Sequence, residues 1–291
     1  KMTKGDQLIL ACAGSGKSVL LIAKCFKAAQ MNPDKKFLIT CFNRNLQSLY
    51  TWFIERAGLK ERNVECLTYD SLCKSLLEKN KLFLPSGINA IEKRRKSAAR
   101  GLESGHIPNR YYGILIDEVQ MFQPEWYKFC FNLLENKESG DHIFVICGDK
   151  TQEIKQRQRH GKAPWNVGEG YTTYRGGNKS IRIEKNFRNC IEINEFINRF
   201  AQNASTLIKK YNPSEEFDPD LFLRGQAFRH GKGVFIEQFS GNAVEEARRV
   251  ITAVKRIHDE ESIPYDEIGI AMYNRQFKPI KYYLESALIH E

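Results

Sequence analysis

Short apolar runs recur at residues 7–11, 37–41, 64–68, 114–117, 143–147 and 181–185, and helical spacings of apolar residues fill most of the intervals. This alternation predicts a mainly parallel sheet with helices on both faces. Residues 81–110, with Pro85, Gly87 and Pro108, break the rhythm and predict a small helical excursion. After residue 190 the spacing of Ile191, Ile193, Phe196, Ile197 and Phe200 predicts a helix. A strand over 234–239, a helix over 243–258 and a strand over 268–272 then form an expected strand-helix-strand unit. Residues 212–219 are polar and rich in turn formers, as an exposed loop would be.

One junction of strand and helix carries specific chemistry. Residues 11–18 read Ala-Cys-Ala-Gly-Ser-Gly-Lys-Ser between the run Leu8-Ile9-Leu10 and a helical pattern from Val19 to Ala29. The small residues Ala13, Gly14, Ser15 and Gly16 let backbone N–H groups turn inward around phosphates, and the helix adds its positive N-terminal end. Lys17 would then reach the β and γ phosphates, and the Ser18 hydroxyl would ligate Mg²⁺. The carboxylates that such a site needs follow the apolar run 114–116: Asp117 as the partner of Mg²⁺ and Glu118 as general base toward water. After the apolar run 143–147 comes Gly148-Asp149-Lys150-Thr151-Gln152, whose Gln152 is placed to sense a γ-phosphate.

These elements, in this order, resemble the UvrD/Rep-like helicases of superfamily 1. Asp117-Glu118-Val119-Gln120 fits that family's Asp-Glu-x-Gln box, and residues 148–152 fit its Gly-Asp-x-x-Gln box. Asn186-Phe187-Arg188 is similar to its Asn-Tyr-Arg element, which implies that Phe187 stacks on adenine and Arg188 touches the γ-phosphate. Thr40-Cys41-Phe42-Asn43-Arg44 and Leu67-Thr68-Tyr69-Asp70-Ser71-Leu72 resemble strand-contacting elements, which implies nucleic-acid contacts at Phe42, Asn43, Arg44, Thr68 and Tyr69. Residues 268–275 resemble a strand of the second motor domain.

The resemblance implies a P-loop NTPase of α/β class, with RecA-like parallel sheets in two motor domains. The first would span residues 1–188, with an insertion at about 78–110, and the second 189–291. It implies ATP and Mg²⁺ as cofactors, and movement on single-stranded DNA, or RNA, in the 3′ to 5′ direction. The sequence also departs from the family. Ile154-Lys155 stands where the family has Ile-Tyr, Gln7 lies on the first strand and not upstream as an adenine-reading glutamine would, and the last two family motifs have no counterpart before Glu291. The second motor domain is therefore expected to be incomplete, and Lys1-Met2 suggests a start further upstream. The lost aromatic at 155 leaves a second reading open, a regulatory NTPase subunit of a nuclease-coupled or phage-defence complex.

Composition adds less. Forty-five basic against 35 acidic side chains give a formal charge of +10, which draws the chain to polyanions. The run Lys93-Arg94-Arg95-Lys96 suits either a phosphate backbone or a solvated helix face. Eight cysteines without zinc-ligand spacing read as small core residues in a reduced, cytoplasmic setting. No apolar run approaches the length of a membrane span, so no membrane partner is expected.

Overall fold

The computed structural model describes residues 4–59, 63–149, 163–172, 174, 179–211, 225–271, 282, 283 and 286. They fall into two units, Lys1–Val234 and Phe235–Glu291. The first is an α/β unit. Its strands are β1 (Gly5–Ala11), β2 (Phe37–Cys41), β3 (Val64–Thr68), β4 (Gly113–Ile116), β5 (Ile143–Gly148) and β6 (Ser180–Ile183). They form one sheet in the order β3-β2-β4-β5-β1-β6, and every pairing is parallel. A further short parallel pair joins β7 (Lys185–Asn186) to β8 (Gln226–Ala227).

The apolar strands are continuous in sequence because both faces of the sheet are covered. Leu8, Leu10, Leu38, Ile114, Ile116, Phe144 and Ile146 face one core, which α3 (Tyr69–Lys79) and α5 (Pro124–Asn132) cover. Ile9, Phe37, Ile39, Leu115, Val145 and Cys147 face the other, against α1 (Lys17–Met31) and α2 (Arg44–Arg56). Each such side chain withdrawn from water contributes about 1.5–3 kcal/mol. Seven of the eight cysteines are buried, Cys190 is half-buried, and all eight are free thiols.

The break at 81–110 contains α4 (Ala90–Glu103), packed on the α3 side through Ala98, and Ile107 beyond its end joins the same core. Its basic run is divided among neighbours: Arg94 Nε donates to Pro85 O at 2.7 Å, Arg95 Nε to Asp70 Oδ1 at 2.6 Å, and Lys96 pairs with Glu92. Next, α6 (Ile191–Tyr211) forms where its apolar spacing predicts it.

In the second unit α7 (Ala243–Glu261) is well specified. Asn242 caps it, accepting from Val244 N and Glu245 N at 3.0 Å each, and Glu245 reaches back to Asn242 N. Ser262, at φ +55°, ends it. The two strands expected to flank this helix do not form. Residues 234–239 and 268–271 are irregular, and residue 272 lies outside the described residues. A strand needs a neighbour for its N–H and C=O groups, and among the described residues neither segment has one. Phe235 and Ile236 accordingly remain 82% and 75% exposed.

Candidate nucleotide site

The strands β1, β2, β3, β4 and β5 end at residues 11, 41, 68, 116 and 148, so the parallel sheet brings every motif that follows them to its carboxyl edge. Between β1 and α1 the chain turns through Gly14 at φ +74° and Gly16 at φ +82°, left-handed conformations that suit glycine. Gly16 caps α1 without a side-chain hydrogen bond, so no side chain occupies the first-turn N–H groups, as an anion site would require. The hydroxyl of Ser15 is buried there without a hydrogen-bond partner. Lys17, 7% exposed, donates to the carbonyls of Ala11 and Cys12 at 3.1 Å each and lies 3.8 Å from Asp149 Oδ2. Ala13 lies within the same loop.

Asp117 is fully buried at the end of β4, its N–H bonded to Thr40 O at 2.9 Å. Its Oδ2 accepts from Ser18 Oγ at 2.7 Å and from Tyr50 OH at 2.6 Å. Its Oδ1 accepts from Glu118 N at 2.9 Å. Glu118 adopts φ +53°, a left-handed conformation that costs a non-glycine residue about 1–2 kcal/mol. That turn breaks the strand's alternation and separates the two adjacent carboxylates. Burial, and then the neighbouring Asp117 charge, hold the Glu118 carboxyl above the usual carboxylate range. The buried amide of Gln120 donates to Glu118 Oε2 and accepts from Asp149 N at 3.1 Å, which ties the two motifs together. A methyl on Gly148 would stand 2.8 Å from Gln120 Oε1 and 2.9 Å from Val119 Cγ1, so this approach requires glycine.

Asn186-Phe187-Arg188 lies against the loop between β1 and α1. Phe187 N donates to Gly14 O at 2.9 Å, and a methyl on Gly14 would stand 2.5 Å from Asn186 Oδ1 and 2.7 Å from Arg188 Cβ. Asn186, buried, folds the turn by accepting from Arg188 N and Asn189 N at 3.0 Å each. Phe187 is 56% exposed, with the ring of Phe228 6.2 Å away, and Arg188 is exposed. Gln152 and Lys155 lie outside the described residues.

The expected nucleic-acid residues occupy the next two strand ends. Asn43 caps α2, accepting from Leu46 N at 2.7 Å, and Thr68 caps α3, accepting from Ser71 N at 3.2 Å. Phe42, Asn43 and Arg44 are exposed. Thr68 and Tyr69 are not: they are 5% and 4% exposed, the Thr68 hydroxyl turned into the helix cap and the Tyr69 ring stacked on Trp126 with centroids 4.6 Å apart. Phe42 lies nearly parallel to the same indole at 6.4 Å, and the Arg95 guanidinium sits 4.2 Å from its centroid. The motifs did not single out Trp126 or Tyr50. Tyr50 could have been noticed from its i, i+4 and i+8 spacing with Leu46 and Ile54, which puts a hydroxyl on the apolar face of α2 where it must find a buried acceptor.

The donor set suits Mg²⁺. A half-buried hydroxyl and a buried carboxylate offer hard oxygen atoms at one point, with the remaining ligands to come from phosphate and water. Among the described residues no group of three or more His, Cys, Asp or Glu forms an all-protein metal cage. Nor is any described helix long and apolar enough to cross a membrane.

No protein-family model matches the chain, and no curated protein matches it. Among solved structures it is similar to a Pif1 helicase from Candida albicans at 18% identity, with a TM-score of 0.36, over 70% of this chain and 40% of that one. It is also similar to a Bacteroides Pif1 bound to single-stranded DNA at 16% identity, with a TM-score of 0.33, over 67% and 41% of the two chains. The chain thus matches about two-fifths of the length of these helicases.

Proposed function

We propose that the chain is an ATP-hydrolysing motor of the UvrD/Rep type that moves on single-stranded nucleic acid, DNA before RNA, in the 3′ to 5′ direction. The observation that carries this reading is the convergence of Lys17, Ser18, Asp117 and Glu118, with Gln120 and Asp149 behind them, beside an uncapped helix N-terminus. Buried charges are costly unless paired, and this arrangement places a cation, a hydroxyl and two carboxylates beside a helix N-terminus that no side chain caps.

In this reading Ala13, Gly14, Ser15 and Gly16 cradle the phosphates and Lys17 gives up its carbonyl partners to meet them. Ser18 and Asp117 would hold Mg²⁺, which when bound offsets phosphate charge. Glu118 accepts a proton from the attacking water, a role helped by a carboxyl held above its ordinary range. Phe187 offers an exposed aromatic face to adenine and Arg188 a cation to the γ-phosphate, both tied to the loop through Gly14. Gln152 would report the γ-phosphate. Phe42, Asn43 and Arg44 would meet the nucleic acid, with the buried Thr68 and Tyr69 supporting them from beneath. Residues 1–188 and 189–291 would be the two motor domains.

The test is ATP hydrolysis with and without single-stranded oligonucleotide. Hydrolysis that the oligonucleotide stimulates, and added salt progressively uncouples, supports a motor. Hydrolysis indifferent to nucleic acid would instead favour a nucleotide switch.

A further inference from the structure

Asp117 has more partners than a strand-end carboxylate needs. Its Oδ2 takes both the Ser18 and the Tyr50 hydroxyls, which fills that oxygen's two lone pairs, and its Oδ1 takes Glu118 N. Tyr50 reaches it from the buried face of α2, itself fully buried among Ile9, Leu21, Cys25, Leu115 and Cys147. A neutral phenol in that position can only donate to the carboxylate, and its ring is fixed by the core. The acceptor capacity left on Asp117 is therefore confined to one side of Oδ1. The same β2–α2 segment also fixes the backbone of Asp117 through Thr40 O, and between Thr40 and Tyr50 lie Phe42, Asn43 and Arg44.

We infer that Tyr50 is a positioning residue for the magnesium site: its hydroxyl sets the orientation in which Asp117, with Ser18, receives a magnesium-bound nucleotide, and it does so from the helix that opens on the candidate strand contact. This inference rests on the ATP reading above. Tyr50→Phe removes the one hydroxyl and keeps the ring that fills the core. Tyr127→Phe is the matched control, since Tyr127 is equally buried on the opposite face of the sheet, with its hydroxyl 3.1 Å from that of Tyr174.

Magnesium is titrated against binding of a fluorescent, non-hydrolysable ATP analogue to the parent chain and both variants, with helical content checked by circular dichroism. The expected result is a magnesium midpoint raised roughly 10- to 100-fold by Tyr50→Phe, as for other groups that orient metal ligands, with magnesium-free binding and the Tyr127→Phe midpoint unchanged. A Tyr50→Phe midpoint equal to the parent's, or an equal shift in Tyr127→Phe, overturns the inference. A parent chain that binds the analogue without regard to magnesium overturns the ATP reading itself.

Discussion

Two clusters at the carboxyl edge of one sheet are buried by opposite means. Around Lys17, Asp117, Glu118 and Asp149 the buried and half-buried groups are charged: Lys17 is held by carbonyls and by Asp149, Asp117 by hydroxyls, and Glu118 by the Gln120 amide. Around Trp126 the buried groups are rings: Tyr69, Phe122 and Phe129 pack with it, and Arg95 and Asp70 close the outer side. The first cluster gains little stability, because the cost of desolvating charge cancels most of the attraction, yet it leaves polar atoms aimed at a shared space. The second gains much and leaves only Phe42 at the surface. Substitutions in the two clusters should therefore fail in different ways.

The largest effect is expected in the aromatic cluster. Trp126→Ala should destabilise the fold by about 3–5 kcal/mol, as measured by denaturant unfolding, because the cavity cannot close between rings already packed on several sides. A loss under about 1 kcal/mol would mean that the cluster is a surface feature and not a core.

The contrasting substitution is Lys17→Ala. It should weaken ATP binding roughly 10- to 100-fold or more, the equivalent of a lost charge-assisted hydrogen bond at about 1.5–3 kcal/mol, while the unfolding midpoint changes little. Calorimetric titration with ATP checks it. Parental affinity in the variant would erase the contrast between the clusters.

The smallest effect concerns pH. Because the fold raises the Glu118 carboxyl, the folded state binds that proton more tightly than the unfolded chain does. The associated cost is absent below the ordinary glutamate range and grows as pH rises through that range toward the raised value. Glu118→Gln, which mimics the protonated form, should therefore be more stable than the parent at neutral pH, with the gap closing on acidification. Denaturant melts across that range check it, and a gap independent of pH would contradict the assignment.

Much of this was legible in the chain. Parallel strands buried on both faces announce themselves as unbroken apolar runs, and 8–10, 37–39 and 143–147 do so. The candidate phosphate-binding residues 13–18 and the pair 117–118 each stand in adjacent positions, so their juxtaposition needed only the sheet order. Partnerships between distant residues were not legible. Tyr50 with Asp117, Gln120 with Asp149, and Trp126 with Phe42 and Arg95 depend on which strand ends become neighbours. Apolar runs also overpredict strands, since residues 234–239 have the composition but no described neighbour to bond. Nor does the sequence show that the missing side chain of Gly14 also admits Asn186 and Arg188.

The central claim is that the charged cluster performs hydrolysis, and Glu118→Gln tests it most directly. ATP binding and steady-state phosphate release would be measured side by side on the variant and the parent, with magnesium and single-stranded oligonucleotide present. Retained binding with turnover lowered by about 10²-fold or more is the expected result, since the amide keeps the shape of the side chain but cannot accept the water's proton. Turnover at the parental rate would contradict the account.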